Sequence, residues 1–244
     1  MKEKIACLTP TYNRFPNFGW LLEECVESFL RQHYPNKELL ICNDTPGQLL
    51  KFNHPQVRIF NLSKRFDNVG QKISFMMDHT DANVFARMDD DDCYLPWHLT
   101  QLMDKMGSQL EWHPDSHLFM HNGKASLVTD NLNSHASAIF RREVVEKIGG
   151  YPGEPPGRED QIFNELLIKN GLEHQRCVFS LENVSHVYRL YDEGKHLSAR
   201  KPNQTRTERW AELGAFPIQT GEFEIRPHWR QNYIRLTKRV IKFL

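Results

Sequence analysis

Short apolar runs alternate with helix-period segments along the first hundred residues. KIACLTP (4–10), KELLICND (37–44), VRIFNLS (57–63) and ANVFARMD (82–89) are apolar in the manner of strands covered on both faces. Between them, GWLLEECVESFLRQ (19–32) and GQKISFMMDH (70–79) repeat apolar residues at helical spacing. This rhythm predicts an α/β fold: a Rossmann-like, mostly parallel sheet with helices on both faces. Ligands of such sheets bind beyond the carboxyl ends of the strands. Three predicted ends carry polar clusters, TPTYNR (9–14), NDTPG (43–47) and DDDD (89–92).

Beyond Pro96 the rhythm changes. WHLTQLMDKMGSQL (97–110) keeps helical spacing, but the shorter pieces HLFMHN, KASLV and HASAIFRREVVEKIGGY read as a small α+β extension. The Gly- and Pro-rich stretch 149–160 predicts an ordered turn or a mobile loop, a candidate lid, leading into a helix over 161–170. The expected organisation is a catalytic-size unit over 1–198, with halves 1–96 and 97–198, and a C-terminal extension over 199–244. In that extension Trp229, Tyr233, Leu236, Val240 and Leu244 share one helical face, opposite Arg235, Lys238, Arg239 and Lys242. Packing of the apolar stripe on the domain is the favoured use of such a helix, and peripheral membrane contact through 229–244 is the second.

Equal numbers of basic and acidic residues, 31 of each, leave no net charge and exclude the global field of a general nucleic-acid binder. Five scattered cysteines without a CxxC spacing argue against a disulfide framework or a zinc knuckle and fit a reducing cytoplasm. No segment approaches the ~20 apolar residues of a membrane span. A soluble or at most peripheral protein, at the inner face of a membrane, is expected.

Four consecutive carboxylates repel one another and call for a compensating cation. Such hard oxygen ligands suit Mg²⁺ or Mn²⁺, held by one or two carboxylates while substrate phosphates complete the shell. Alternation along the backbone would point Asp89 and Asp91 together and Asp90 and Asp92 elsewhere. The plainer reading is a solvated acidic turn with Asp92 capping the next helix. His113, His117 and His121 recur every fourth residue, but Pro114 and the strand-like HLFMHN argue against a helical metal stripe.

In order, TPTYNR, NDT, NVG (68–70), ARMDDDDCYLP (86–96) and GREDQIF (157–163) resemble the motifs of family 2 glycosyltransferases of the GT-A fold, over residues 4–170. Asp89, Asp91, Asp92 and Pro96 reproduce the family's D-x-D-D spacing to a proline. YRLYDEGKHLS (188–198) resembles a YRW…G…HLS segment, with Leu190 in place of Trp. The resemblance implies inverting transfer of a sugar from a nucleotide diphosphate sugar, a UDP-sugar favoured, to a hydroxyl of a carbohydrate or glycolipid acceptor in polysaccharide or glycoconjugate synthesis. It places Thr9, Pro10, Thr11, Tyr12, Arg14, Asn68, Gly70 and Arg87 against the nucleotide, Asp44 on the base, and Asp89 with Asp90 on the ribose. Mn²⁺ or Mg²⁺ would sit on Asp91, with Asp89 and His196, and Arg189 and Lys195 would face phosphate. Asp160 would be the base, with Glu159 second and helix capping the alternative role of Asp160. A nucleotidyltransferase, the competing enzyme class, should carry a Gly-rich basic loop after the first strand, whereas TPTYNRFPN has no glycine. A nucleotide-sugar-binding module without turnover is the third reading.

Overall fold

The computed structural model describes residues 2–114, 116–121, 123–129, 135–172, 184–190, 196, 201 and 203–242. Cys177, Lys195 and Leu244 lie outside the described residues. The chain runs β1 (Ile5–Thr11), α1 (Gly19–Leu30), β2 (Lys37–Asn43), β3 (Gln48–Lys51), β4 (Val57–Asn61), α2 (Val69–Asp78) and β5 (Val84–Arg87). It continues through β6 (Cys93–Tyr94), α3 (His98–Met106), β7 (Glu111–Trp112), β8 (Ser116–His121), β9 (Lys124–Thr129), β10 (Ile139–Arg141) and α4 (Arg142–Lys147). Last come α5 (Glu159–Lys169), β11 (His186–Leu190), α6 (Arg206–Ala215), β12 (Gly221–Glu224) and α7 (Tyr233–Lys242).

The main sheet has the order β4-β2-β1-β5-β10-β7. Its first four strands are parallel, with β1 aligned on β2 from Ile5 opposite Lys37 to Thr11 opposite Asn43, while β10 runs antiparallel to β5. Alternate residues of each strand feed two cores, as a doubly covered sheet requires. Ile5, Cys7, Leu39, Ile41 and Val84 pack against Leu22, Val26 and Phe29 of α1 and Leu99 and Leu102 of α3. Ala6, Leu8, Leu40 and Phe85 meet Ile73 and Met76 of α2, Val144 of α4 and Phe163 of α5. Full burial of Cys7, Cys25, Cys42 and Cys93 raises their thiols above the usual range and leaves them free.

A second sheet, β6-β11-β8-β9, has two different faces. Leu118, Met120 and Val187 pack with Tyr233, Leu236 and Val240 of α7, so the helix's apolar stripe is taken up by the domain. His117, Phe119 and Tyr188, offset by one in the pleat, face a cavity. The tail is also tied back by β12, which pairs in parallel with β3 from Gly221 opposite Gln48. The loop before α5 rests on the start of α2, where Asn68 accepts from the Gln71 N–H and donates to Glu154 at 2.6 Å. Gly70 permits that approach, because a Cβ there would lie 2.0 Å from the Pro152 carbonyl.

One buried cation joins these layers. Arg189 of β11, expected at phosphate, is instead fully buried and forms an ion pair with the equally buried Glu24 of α1. It also donates to the Asp91 carbonyl at 2.6 Å and to Tyr233 of α7 at 3.2 Å. Removing one partner of a buried pair strands the other charge. Arg189→Met is therefore expected to lower the unfolding free energy by about 3–5 kcal/mol in urea titrations, with part recovered by adding Glu24→Leu. A single variant as stable as the parent would contradict the assignment.

Candidate active site

At the carboxyl ends of β1 and β5 the chain opens a cavity of about 570 Å³, lined by Thr11, Tyr12, Arg14, Asp89, Asp90 and Asp91. Glu159, Asp160, His117, Tyr188, His196 and Trp210 line it as well. The volume is that of a small-molecule site.

Residues 89–92 form a tight turn, closed by the Asp92 N–H donating to the Asp89 carbonyl at 3.2 Å. In a turn the strand alternation does not hold, and the expected pairing of Asp89 with Asp91 is replaced by another. Arg14 donates to both Asp90, at 2.8 and 2.6 Å, and Asp91, at 2.8 Å. Thr11 adds a hydroxyl to Asp90 at 2.6 Å. Asp89 is held apart by Arg87, at 2.7 and 3.2 Å, and Arg87 in turn donates to Tyr151 at 2.9 Å. Asp92 turns away from the cavity and caps no helix. It meets His186 at 2.7 Å and accepts from the Arg189 N–H at 2.9 Å. Burial raises the Asp92 carboxyl well above the ordinary range and lowers His186 to about 4, so both favour their neutral forms.

Asp91 behaves differently from Asp92. Burial pushes its carboxyl up, but His196, Arg14 and Arg189 outweigh burial and hold it below the usual range. Its Oδ2 lies 3.3 Å from the His196 ring nitrogen. A carboxylate and an imidazole that converge on a cavity fit the small number of protein ligands that a nucleotide-bound Mn²⁺ or Mg²⁺ needs. Asp89, engaged by Arg87, does not join them, and among the described residues no three His, Cys, Asp or Glu side chains are grouped to hold a metal.

The other expected site residues divide. Pro10, Thr11, Tyr12, Arg14, Arg87, Asp89, Asp90, Asp91, Glu159, Asp160 and His196 line the cavity; Thr9, Asp44, Asn68 and Gly70 do not. Thr9 donates to the Met88 carbonyl at 2.7 Å. Asp44 is fully buried beside Lys72, at 2.6 Å, and accepts the Phe66 N–H, so its carboxylate is turned inward rather than toward a base. Asp160 stands inside the first turn of α5, whose cap position is Arg158, and its carboxylate accepts the Gln161 N–H at 2.8 Å, so it also satisfies a donor of that turn.

Sequence reasoning missed the contribution of α6. Its Trp210 ring and Tyr12 sandwich the Arg65 guanidinium, each with its centroid 4.2 Å away. Arg206 reaches the Gly157 carbonyl and lies 3.9 Å from Asp160. Arg209 donates to the His196 carbonyl at 3.2 Å. The segment RTERWAEL (206–213) has residues that suit a helix, but nothing local shows where such a helix docks.

Residues 7–111 match the family model described as glycosyl transferase family 2. That match lies within the N-terminal half of the chain. No curated protein matches the chain. Among solved structures, S. aureus TarS 1-349 in complex with UDP-GlcNAc is similar with a TM-score of 0.58 at 16% identity, over 81% of this chain and 61% of that one. The mannosyltransferase PcManGT from Pyrobaculum calidifontis, in complex with GDP-Man and Mn²⁺, gives 0.52 at 14% identity, over 77% and 57%. A longer TarS structure gives 0.54 at 16%, over 78% and 37%. The fold is therefore the GT-A glycosyltransferase fold, and the chain spans less than two thirds of the length of these structures.

Glu159 yields a prediction about stability. Burial raises its carboxyl despite Arg87 nearby, so the folded state holds the proton more tightly than the unfolded chain does. Stability from this group is present below the ordinary carboxyl pKa and is lost as pH rises through the folded value. Glu159→Gln should raise Tm at pH 7, with the gain vanishing as pH falls toward about 4. A gain independent of pH would refute the titration.

Proposed function

We propose that the chain transfers a glycosyl group from a nucleotide diphosphate sugar to an acceptor hydroxyl, with inversion and with Asp160 as the base. The observation that carries this reading is a cavity lined both by the aspartate turn with its guanidinium partners and by the start of α5. The family match and the nucleotide-sugar complexes of the similar structures support the donor class. A UDP-sugar is favoured, with a carbohydrate or glycolipid as acceptor.

Leaving-group departure builds negative charge on the diphosphate, and preorganised cations reduce its cost. Arg14 lies within the cavity to meet that charge, and Asp91 with His196 would hold a divalent cation. Such a cation supplies Lewis-acid stabilisation of the same charge. Asp90 serves to orient Arg14, because both of its oxygens accept from that guanidinium. Attack on the face opposite the leaving group requires a carboxylate that accepts the acceptor's proton. Burial raises the Asp160 carboxyl above its ordinary value, which makes it a stronger base, and the Gln161 N–H, with Arg206 nearby, limits the rise.

Two substitutions test the division of roles. Asp160→Asn should keep nucleotide-sugar affinity, measured by calorimetry over a panel of UDP-, GDP-, dTDP- and CMP-sugars with Mn²⁺, yet lose transfer by on the order of 10²-fold or more. Transfer at the parental rate would remove Asp160 from the mechanism. Asp91→Ala should abolish the Mn²⁺-dependent part of nucleotide binding, while Arg14 keeps Asp90 as a partner, so the variant should still melt cooperatively at a lowered Tm. Undiminished Mn²⁺-dependent binding would refute that role.

The proton balance also sets a pH profile. The base accepts only when deprotonated, so kcat should fall as pH drops through the folded Asp160 value, which burial places above the ordinary carboxyl of ~3.9. An acid limb at or below that value would contradict the assignment.

A further inference from the structure

Charge in this chain is distributed unevenly. Six of the 31 basic residues and none of the 31 acidic ones lie beyond Glu224, so residues 225–244 carry six positive charges and the preceding chain a net six negative. The apolar side of α7 is used up against the second sheet, with Tyr233 buried and Ile234, Leu236, Val240 and Ile241 packed on Leu118, Met120 and Val187. Its other side remains outward. Arg235, Lys238, Arg239 and Lys242 are all exposed, and among the described residues no acidic group pairs with any of them. Arg226 and Arg230, just before the helix, are exposed as well.

We propose that the outward basic face of α7 docks the protein on a bilayer surface that carries anionic lipid headgroups. The contact is electrostatic and does not insert the apolar stripe. Four cations spread along a helix about 15 Å long define no groove for a shaped ligand, whereas fluid headgroups rearrange to meet dispersed charges. A single-stranded polyanion read by stacking would need exposed aromatic platforms. The large apolar side chains exposed among the described residues are Leu49 and Ile168, neither of them aromatic. Uneven charge also orients the molecule, since the acidic remainder is repelled by the surface that attracts α7. The sheet under α7 offers its other face, through His117, Phe119 and Tyr188, to the cavity, so docking would bring that wall near the membrane. The proposal stands whether or not the chain transfers sugar.

Each cation near an anionic surface strengthens partitioning by roughly fivefold, and the effect is screened over about 8–10 Å at physiological salt. The test is co-sedimentation of the full chain with vesicles of phosphatidylcholine alone and with about 30 mol% phosphatidylglycerol, at about 0.05 and 0.5 M NaCl. Expected is pelleting with the anionic vesicles at low salt and release at high salt. The variant R235Q/K238Q/R239Q/K242Q should lose partitioning by on the order of 10²-fold or more with an unchanged thermal melt. The half-variants R235Q/R239Q and K238Q/K242Q, each losing part of the binding, carry the test if the quadruple variant does not fold. Equal pelleting with neutral vesicles, undiminished binding by the variants, or a parent chain that stays in the supernatant would overturn the proposal. So would retention on heparin without vesicle binding, which would assign the face to a soluble polyanion.

Discussion

Four adjacent carboxylates at the end of β5 are tolerable in a folded chain only if each meets a cation from elsewhere or, like Asp92, gives up its charge. A charge removed from water without a partner costs several kcal/mol, so the turn at 89–92 and its partners stand or fall together. The partners come from separate segments. Arg14 follows β1, Arg87 ends β5, and His186 and Arg189 lie on β11, almost a hundred residues downstream of the turn. The hydrogen bonds from β11, from His186 and the Arg189 N–H to Asp92 and from the Arg189 guanidinium to the Asp91 carbonyl, fix how the two sheets meet, and the cavity forms at that meeting. Arg189 carries the constraint deeper, linking the turn's backbone to Glu24 of α1 and Tyr233 of α7.

The same arrangement separates the chemistry of neighbouring residues. Asp92 faces inward, where burial favours a neutral carboxyl and its role is to bind β11. Asp91, one residue earlier, faces the cavity beside Arg14 and His196 and is held in its charged form. In the same cavity, Asp160 is pushed toward higher proton affinity. Environments that drive carboxyl groups in opposite directions are what a site needs if one is to balance charge and another to take a proton. Rigid support from strands and buried ion pairs serves both roles, because positioning errors of an ångström are costly in catalysis.

Much of this was legible in the sequence where the signal is local. The strands β1, β2 and β5 are covered on both faces, so their apolar runs are nearly continuous, and the polar residues at their ends mark the rim. The turn at 89–92 was misread because alternation assumes extended backbone, while one hydrogen bond across the turn suffices to put Asp90 and Asp91 on the same guanidinium. Arg189 could not be assigned correctly from sequence. A guanidinium beside an aspartate cluster suits phosphate as well as it suits a buried glutamate, and Glu24 lies 165 residues away. Asp44 was misplaced for a related reason, since Lys72 reaches it across the start of α2.

The tail shows how far such long-range contacts decide the site. Read locally, residues 199–244 form an extension beyond the motifs. In the fold, β12 adds to β3, α7 covers the back of the second sheet, and α6 lies along the cavity, touching Tyr12 and Arg65 at one end and Asp160 and His196 at the other. The cavity is therefore closed by the last part of the chain against residues from its first strand. Its two walls are joined through α6 as well as through the sheets, so a shift of that helix would be felt at both at once. This follows from the chain's own geometry: with the cations needed at the turn drawn from β1 and β11, the space between them is left open on one side, and α6 supplies the Trp210 and Arg206 side chains that fill it.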